Sequence, residues 1–389
     1  MKHILIISNK AVFPSSDGGS FAIKSLCENL TAKDYQLDIV AINKSEKELK
    51  KPVETRINEK ITQILFMKKM NFNIIKFSKS LVTNIAYQAS RFYNEEIRCF
   101  IQNSIDQKEY KYIIFESIFT TIYLEKLKIS KSSKLILRAH NVEHKIWQDL
   151  AKNSVIKKII FIFMSRQIKS METTIPKNIH YIFTLSSLDQ KYFNSIFPKK
   201  TYNIPVTLDI NQNSSKKVKN TIVHLGAMDW MPNLEGINWF IHEVLPKIKK
   251  INKKIDVYIA GKGMPKKYFN YNDKHTIIEG KIDNVQNYIS NKEIMFVPLF
   301  SGSGIRIKIL EGMSFGLPII STSKGAEGIP YTHLENIIIA NTPSEFCNAI
   351  SLLIENKKLA KKIGKNGQLL IEKYFSKQFV INQLNNIID

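Results

Sequence analysis

The segment from Ser301 to Pro318, SGSGIRIKILEGMSFGLP, has residue types and spacing that suit phosphate chemistry. It follows the apolar run EIMFVPLF, and the pattern predicts a strand, a glycine loop and a helix in succession. Exposed amides at a helix start, together with the positive end of the helix dipole, favour a bound phosphate. Gly302 and Gly304 would let such a ligand approach the backbone closely. The segment therefore predicts a phosphate site.

The charged side chains of this segment extend the prediction to a nucleotide diphosphate. On a continuous helix Gly304, Lys308 and Glu311 would share one face, with Glu311 roughly 10 Å along the axis from Gly304. Arg306 and Lys308 would stabilise negative charge on a departing diphosphate, and Glu311 would accept hydrogen bonds from ribose hydroxyls. The alternative is that the glycines only make a turn and that Lys308 and Glu311 form a local ion pair.

Alternating apolar runs and helical segments predict that the whole chain is α/β, with parallel sheets covered by helices. The runs are HILIIS, QLDIVAI, YKYIIFES and SKLILRAH in the first half, then TIVHLGAM, DVYIAGKG, HTIIEGK, EIMFVPLF and GLPIIST. A chain of 389 residues exceeds the size of one growing core, which predicts two domains. We place them at residues 1–204 and 205–375, followed by a C-terminal helix over 376–389. The tail from Pro343 predicts two helical stretches broken near IGKNG.

The excess of basic residues in the chain leaves two interpretations open. The net charge is +23, and up to Lys200 the chain has 33 Lys and Arg against 18 Asp and Glu. A general bias toward Lys, Asn and Ile, as in an AT-rich genome, explains this excess. Contact of the first half with anionic lipid is the alternative, and Ser154 to Ser170 is the best stretch for it, although a core-facing helix also fits. No nucleic acid is expected, because no compact basic motif occurs.

The lack of a membrane-spanning or secretory segment and the pattern of cysteines favour a cytoplasmic chain. Such a chain would reach the membrane only peripherally, at its inner face. No uncharged apolar run approaches membrane-spanning length, and the start MKHILIIS is too short for a secretory signal. Cys27, Cys99 and Cys347 are odd in number and lack metal-ligand spacing, as expected of reduced thiols. We assign these cysteines no chemistry.

Several linked motifs resemble one enzyme family along nearly the whole chain. FVPLFSGSGIRIKILEGMSFGLPIISTSKGAEGI closely resembles the donor-site segment of retaining glycosyltransferases of the GT-B fold, family four, also described as glycosyl transferases group 1. GAMDWMPNLEGINWFIHEVLPKI, DVYIAGKG and IIEGKIDNVQNYIS follow in that family's order, and PSSDGGSFAIKSL and LRAHNVEHKIW are similar to first-domain motifs. The resemblance implies two Rossmann-like domains facing a cleft, with the C-terminal helix crossing back to the first domain. It also implies that no metal and no cofactor is bound, since the nucleotide-diphosphate sugar is a substrate.

In the second domain the resemblance assigns substrate-binding roles position by position. It makes Glu311 the ribose ligand and Gly304 with Ile305 the amides beneath the diphosphate, and it adds Gly226 after the domain's first strand. Many members carry another Glu eight residues before the ribose ligand. Ser303 stands at that substrate-binding position here, so the usual acidic contact to the sugar is absent.

Charge compensation for the phosphates departs from the family's pattern. Ala227 replaces an Arg that follows the glycine of the second domain's first strand. Compensation would then come from Arg306, Lys308 or Lys262, of which the first two are candidate catalytic residues. Trp230 is a candidate platform for the sugar, although a Trp is more often part of a core.

In the first domain the resemblance implies that Gly18 and Gly19 line the cleft. It also matches His140 to a His that reaches the hydroxyls of the transferred sugar. His140 is therefore a candidate catalytic residue. The same His begins HNVEH, which also spells an inverted zinc-protease motif. Its position at the end of a strand argues against zinc. The plainer interpretation is that Glu143 and His144 cap or solvate a helix start.

These observations predict a glycosyltransferase of the hexosyltransferase type. It would move a sugar from a nucleotide-diphosphate sugar to a hydroxyl with retention, in surface polysaccharide or lipid-linked glycan assembly. A nucleotide-sugar epimerase or hydrolase of the same fold is an alternative that Ser303 disfavours. A non-catalytic nucleotide-sugar-binding subunit is a second alternative, and Ala227 favours it.

Overall fold

The computed structural model of the chain describes residues 2–46, 48–49, 51–83, 85–152, 157–211, 217–251 and 254–388. The chain divides into two compact units, Met1–Val206 with Ile381–Asp389, and Thr207–Val380. Each unit contains one sheet with helices packed against it, which confirms the predicted α/β class. Residues 154–156, part of the stretch considered for lipid contact, lie outside the described residues.

Among its described residues, the first unit has eight strands, in the order β3-β4-β2-β1-β5-β6-β7-β8. All of these neighbours are parallel except β3, which is antiparallel to β4. The central strand β1 has Ile4 to Ile7 fully buried, as expected of a parallel strand covered on both faces. The strands are β1 (Lys2–Ser8), β2 (Tyr35–Lys44), β3 (Val53–Arg56), β4 (Ile61–Lys68), β5 (Tyr112–Glu116), β6 (Lys134–Ala139), β7 (Tyr181–Thr184) and β8 (Thr201–Asn203).

The helices of the first unit begin where the sequence supplies caps. Asp17 caps the first of them and forms a capping box with Ser20. The helices are α1 (Gly18–Ala32), α2 (Ile74–Val82), α3 (Tyr87–Ser90), α4 (Glu95–Gln107), α5 (Glu143–Lys152), α6 (Lys158–Thr174) and α7 (Ser187–Ile196), with 3-10 turns at Ile118–Lys126 and Ile175–Asn178. Among the described residues no helix is both long and apolar enough to cross a bilayer.

The part of the second unit that the structure describes has six parallel strands, in the order β11-β10-β9-β12-β13-β14. The strands are β9 (Thr221–Leu225), β10 (Asp256–Ala260), β11 (Thr276–Glu279), β12 (Ile294–Val297), β13 (Ile319–Ser321) and β14 (Ile338–Ile339). The helices are α8 (Met231–Trp239), α9 (Leu245–Ile251), α10 (Val285–Ser290), α11 (Ile307–Ser314), α12 (Pro343–Glu355), α13 (Lys357–Phe375) and α14 (Lys377–Asn385), with a π-helical segment at Phe240–Val244 and a 3-10 turn at Lys266–Tyr271. Helix α14 passes from the second unit into the returning segment of the first.

The predicted break near IGKNG is wrong. Helix α13 runs through that stretch, and the chain breaks at Asn356 and Ser376 instead. A Cβ at Gly364 would collide with the carbonyl of Gly316, and one at Gly367 would lie 3.2 Å from Met313 Cγ. These glycines allow close packing of α13 on the turn after α11, and that packing overrides their low helix propensity.

Candidate functional site

The glycine loop lies between β12 and α11, at the carboxyl end of a central strand. Gly302 and Gly304 have φ of 93° and 85°, which are left-handed values that favour glycine. Helix α11 begins only at Ile307, with Arg306 as its N-cap. Gly304 therefore does not lie on the helix, contrary to the prediction, and the predicted common face holds only for Lys308 and Glu311.

The backbone of this loop offers hydrogen-bond donors. Ser301 through Ile307 are all buried. Within the described part of the chain, no acceptor is found for the N–H groups of Gly304 and Ile305. Buried amides are almost always paired, and these two immediately precede the positive end of α11. An anion bound there would satisfy them.

Arg306 braces the loop from within. Its guanidinium donates to the carbonyl oxygens of Ser303 at 2.5 Å, Gly304 at 2.7 Å and Ser301 at 3.4 Å, and only 5% of the residue is exposed. It also lies over Trp230, with the guanidinium carbon 5.2 Å from the ring centroid. These contacts hold the carbonyls turned inward. The arrangement gives Arg306 a positioning role, and its contact with a phosphate stays a prediction.

Trp230 packs against the loop at the start of α8. It is half-buried. A Cβ at Gly302 would lie 3.1 Å from both Trp230 Cζ2 and Arg306 Nη2. The absence of a side chain at Gly302 thus permits the Trp-Arg contact, and a sugar-platform role for Trp230 stays a prediction.

Lys308 points from α11 toward the end of β9. Its ammonium group donates to Asn233 Oδ1 at 2.7 Å, and Asn233 Nδ2 donates to the carbonyl of Ala227 at 2.7 Å. A Cβ at Gly226 would collide with Lys308 Nζ, so a glycine is needed for this approach. Burial, reinforced by Arg306, lowers the pKa of Lys308 to about 7. An anion that binds nearby would therefore stabilise the protonated form of Lys308.

Glu311 lies one turn further along the same helix. Burial raises the pKa of its carboxyl group to about 7, and the charge of Lys308 only partly opposes that rise. Among the described residues its carboxylate has no hydrogen-bond or ion-pair partner, because Lys308 turns to Asn233 instead. The local ion pair considered from the sequence is not formed. A half-buried carboxylate without a partner is suited to accept hydrogen bonds from a ligand.

Lys262 and Ile305 complete the predicted set in this unit. Lys262 is exposed, and its carbonyl accepts a hydrogen bond from the Met228 amide at 2.7 Å. The side chain of Ile305 is buried, which leaves only its amide as a ligand group. The structure therefore brings together the loop, Lys308 and Glu311, while the ammonium group of Lys262 stays in solvent.

Three polar side chains of this region, Asn233, Glu235 and His224, were not predicted from the sequence. Asn233 holds Lys308, and Ser301 Oγ donates to Glu235 Oε2 at 2.5 Å. His224 on β9 is fully buried, its Nδ1 lies 3.0 Å from the carbonyl oxygen of Phe296, and burial holds its pKa well below the usual range. Asn233 and Glu235 lie in DWMPNLEG, where a helix begins after β9. This position after a strand is the feature of the sequence that could have indicated them.

In the first unit, His140 belongs to a buried polar cluster at the carboxyl ends of β5 and β6. Its Nε2 lies 2.6 Å from Glu116 Oε2, and Nε of Arg138 lies 3.9 Å from the same oxygen. Glu116 and Arg138 are both fully buried. Burial lowers the pKa of Arg138, and the charge of Glu116 opposes that change. A carboxylate accepts, so Nε2 of His140 carries the proton and Nδ1 is left as an acceptor.

The remaining residues of HNVEH have separate partners. His144 Nδ1 pairs with Glu172 Oε2, and the backbone amide of Glu143 donates to Glu172 Oε1 at 2.6 Å. Burial raises the pKa of Glu143 to about 7, while a hydrogen bond from Asn141 opposes the rise. Among the residues that the structure describes, no three His, Cys, Asp or Glu are grouped to hold a metal. His144 is buried at the start of α5, so a solvated role for it is wrong.

Gly18 and Gly19 form the first two residues of α1. Their helix is capped by Asp17, which also pairs with Lys10 at 2.9 Å. A Cβ at Gly19 would lie 2.6 Å from Lys10 Nζ. The absence of a side chain at Gly19 therefore gives Lys10 room to reach Asp17, and a substrate contact of Gly18 and Gly19 stays a prediction.

Comparison with known sequences finds a family match within the second unit. Residues 219–356 match the family model described as glycosyl transferases group 1. That range contains the glycine loop, Lys308 and Glu311. A curated relative from Klebsiella pneumoniae, "Uncharacterized 44.6 kDa protein in cps region", is 24% identical over 401 residues and is matched over 99% of both chains.

Comparison with solved structures covers both units. Sucrose-phosphate synthase from Thermosynechococcus elongatus has a TM-score of 0.73 at 14% identity, over 100% of this chain and 98% of that one. A mutant of TarM from S. aureus, solved with Fondaparinux, alpha-GlcNAc-glycerol and UDP, has a TM-score of 0.70 at 12% identity, over 99% of each chain. These similarities confirm the GT-B fold predicted from the sequence.

Proposed function

We infer that this chain, a glycosyltransferase of the GT-B fold with a glycosyl transferases group 1 domain in its second unit, transfers a sugar from a nucleotide diphosphate to a hydroxyl group. One observation carries the inference. Within the described ranges, the amides of Gly304 and Ile305 have no acceptor and the carboxylate of Glu311 has no partner, and the two amides precede the helix that carries Glu311. Amides suit a diphosphate, and a carboxylate suits the two hydroxyls of a ribose.

The residues of this site would act mainly on the leaving group. The bond between the sugar's anomeric carbon and the phosphate oxygen breaks, and its electron pair leaves with the diphosphate. The loop amides and Lys308 would stabilise the charge that collects there, since donors aimed at developing charge lower the barrier. Because burial has lowered the pKa of Lys308 to about 7, the arriving diphosphate would also draw a proton onto it.

The configuration of the anomeric carbon is retained if the acceptor attacks from the same face from which the diphosphate departs. A new bond forms between the acceptor oxygen and the anomeric carbon while that carbon has oxocarbenium character. The departing phosphate oxygen would take the acceptor's proton, so no protein base is required. His140, with Nδ1 free to accept, would bind a hydroxyl of the transferred sugar. The test is the anomeric coupling constant of the transferred sugar in the product, measured by proton NMR.

We propose surface polysaccharide or lipid-linked glycan assembly, at the cytosolic face of the membrane, as the setting. The Klebsiella pneumoniae relative is named for a cps region, which is a polysaccharide context. The solved TarM complex contains UDP, which makes UDP the first nucleotide to test. The 33 basic against 18 acidic residues up to Lys200 favour an anionic setting for the first unit.

Calorimetric titration with UDP, GDP, dTDP and ADP tests the donor site. We expect one nucleotide to bind in the micromolar range and Glu311→Ala to weaken that binding at least tenfold, as about 1.4 kcal/mol of lost hydrogen bonding requires. Glu355→Ala is the matched control, since Glu355 is exposed on α12 of the same unit. If the folded protein binds none of the four, or if both variants behave alike, the donor site is misassigned.

A further inference from the structure

Arg138 is a buried charge that no hydrogen bond explains. It lies on β6, it is fully buried, and within the described part of the chain none of its three guanidinium nitrogens has a hydrogen-bond partner. Buried polar groups are normally paired, because an unsatisfied donor costs its full desolvation. A well-packed apolar side chain of similar volume would avoid that cost. The charge of Arg138, and not its hydrogen bonding, is therefore the property that needs an explanation.

The opposite charge in contact with Arg138 belongs to Glu116 on the neighbouring strand. Glu116 and Arg138 are partners in the register of β5 and β6, and Nε of Arg138 lies 3.9 Å from Oε2 of Glu116. The same oxygen lies 2.6 Å from Nε2 of His140. The side chains of Glu116 and Arg138 are fully buried, and that of His140 is only 12% exposed. We call these three residues the charge cluster.

The formal charges of the charge cluster cancel. Glu116 contributes one negative charge, Arg138 contributes one positive charge, and a neutral imidazole contributes none. Cys27 of α1 also faces Arg138, but burial raises the pKa of its thiol, so it adds no charge. Glu28, the next residue of α1, is exposed and pairs with Lys24 at 3.7 Å. Removal of either charged member would leave a net charge in the protein interior, which is costly.

We propose that Arg138 is a positioning residue for sugar transfer, because its charge keeps Glu116 ionised and thereby keeps Nδ1 of His140 free of a proton. While Glu116 is ionised, its oxygen accepts from Nε2–H, and Nδ1 presents a lone pair to a sugar hydroxyl. Arg138 is fully buried and cannot reach a substrate, so it acts only through this pair. The inference rests on the proposed function for the sugar that His140 meets, whereas the protonation of the ring is a property of the free protein.

Loss of the Arg138 charge would reverse the hydrogen-bonding role of Nδ1. The charge cluster would then carry a net negative charge, and uptake of one proton from solvent would restore neutrality. If that proton binds to Glu116, the new O–H donates to Nε2 and the ring proton moves to Nδ1. If it binds to the imidazole, both ring nitrogens carry a proton. Either arrangement turns Nδ1 of His140 from an acceptor into a donor.

Nitrogen NMR of the free, labelled protein at pH 7 tests the proposal. The shifts of the ring nitrogens distinguish a protonated nitrogen from one with a lone pair, and loss of the signal in His140→Gln identifies it among the 8 histidines. We expect a proton only on Nε2 in the wild type and in Arg138→Lys, and a proton on Nδ1 in Arg138→Met. Arg166→Met is the matched control, since Arg166 is exposed on α6. A proton on Nδ1 of the wild type, or an unchanged ring in Arg138→Met, would overturn the proposal.

The pH dependence distinguishes this role from a structural one. In Arg138→Met the extra proton should leave as pH rises, so the wild-type ring should return at pH 9. Turnover should follow, with UDP-glucose as the first donor tried. We expect kcat of Arg138→Met to fall about 10- to 100-fold at pH 7 and to recover toward pH 9, while Arg138→Lys stays near the wild type. An equal loss at both pH values would show a structural role and count against the proposal.

Folding and donor binding are controlled separately. Circular dichroism checks each variant first, and Arg138→Gln replaces Arg138→Met if the latter does not fold. The spectrum of the wild type needs no variant and is by itself able to refute the proposal. UDP titration of the variants should be unchanged, because Arg138 belongs to a different unit from Lys308 and Glu311. A wild type that binds no nucleotide but has the expected ring proton would refute the donor site and leave this inference standing.

Discussion

His140 Nε2 lies 2.6 Å from Oε2 of Glu116, a residue that is fully buried. The carboxylate thus fixes both the orientation of the imidazole ring and the position of its proton. Nδ1 is left to accept a hydrogen bond, which suits a sugar hydroxyl and not a phosphate oxygen. Glu116 would act through His140, as a positioning residue.

The first prediction is that Glu116→Gln slows sugar release from the nucleotide sugar while the nucleotide binds as before. A Gln amide can donate to Nε2 and so move the proton to Nδ1, which turns the acceptor into a donor. We expect kcat to fall by about 10- to 100-fold with little change in the KM of the donor. Nitrogen NMR of labelled His140 reads the tautomer directly, and an unchanged tautomer with unchanged kcat would contradict the assignment. Glu125→Gln, exposed in the same unit, is the control.

The second prediction concerns the stability of the same cluster. Glu116→Gln leaves Arg138 as a fully buried charge whose carboxylate partner is gone. Removing one member of a buried pair costs about 3 to 5 kcal/mol, whereas replacing both members by uncharged groups costs less. We expect the free energy of unfolding to recover partly in Glu116→Gln/Arg138→Met. Urea unfolding of the two single variants and the double variant gives the coupling, and simple additivity would show that the two side chains are independent.

The sequence predicted the parallel strands and missed elements whose environment is set by tertiary contacts. Runs such as HILIIS are continuous and apolar because both faces of their strands are buried. Strand β3, Val53–Arg56, is fully exposed at the sheet edge and has no such pattern. Ile74 and Ile75 of α2 are apolar too, yet they face solvent, and composition cannot distinguish a buried face from an exposed one.

The relationships within the candidate site also divide into those that local spacing predicts and those that depend on contacts between elements. Lys308 and Glu311 were predicted from their spacing along one helix, which depends on local geometry alone. Asn233, which holds Lys308, comes from another element, so nothing in the local pattern connects the two. The departure of Gly304 from the helix depends on a positive φ that Arg306 stabilises through the loop carbonyls. Sequence spacing reports neither relationship.

The third prediction is that Glu311→Gln stabilises the protein above neutral pH. The folded-state pKa of Glu311 is raised to about 7, above the ordinary value of a Glu in an unfolded chain. Between those two values the folded state binds more protons, so stability of the wild type falls as pH rises through that window. Gln does not titrate. The variant should match the wild type near pH 4.5 and exceed it by about 1 to 2 kcal/mol at pH 8, after allowance for solvent screening. Thermal unfolding at both pH values is the measurement, with Glu355→Gln expected to show no difference.

The fourth prediction concerns the pH dependence of UDP binding. Lys308 titrates near 7 in the free protein, and a diphosphate stabilises its protonated form, so this residue makes affinity fall as pH rises through about 7. Glu311 also titrates near 7, and its ionised form accepts ribose hydroxyls, so it makes affinity rise over the same range. The two trends oppose each other in the wild type. Each single variant should therefore show the trend of the residue that remains.

Titration calorimetry at pH 6, 7 and 8 and constant ionic strength separates these contributions. Lys308→Gln should bind UDP more tightly as pH rises, because only the carboxylate of Glu311 still responds. Glu311→Gln should bind more weakly as pH rises, because only the ammonium group of Lys308 does. The nucleotide's own titration is common to all three proteins and cancels in the comparison. Parallel pH profiles in both variants would mean that neither side chain contacts the ligand, since removal of a contacting group must remove its linked proton.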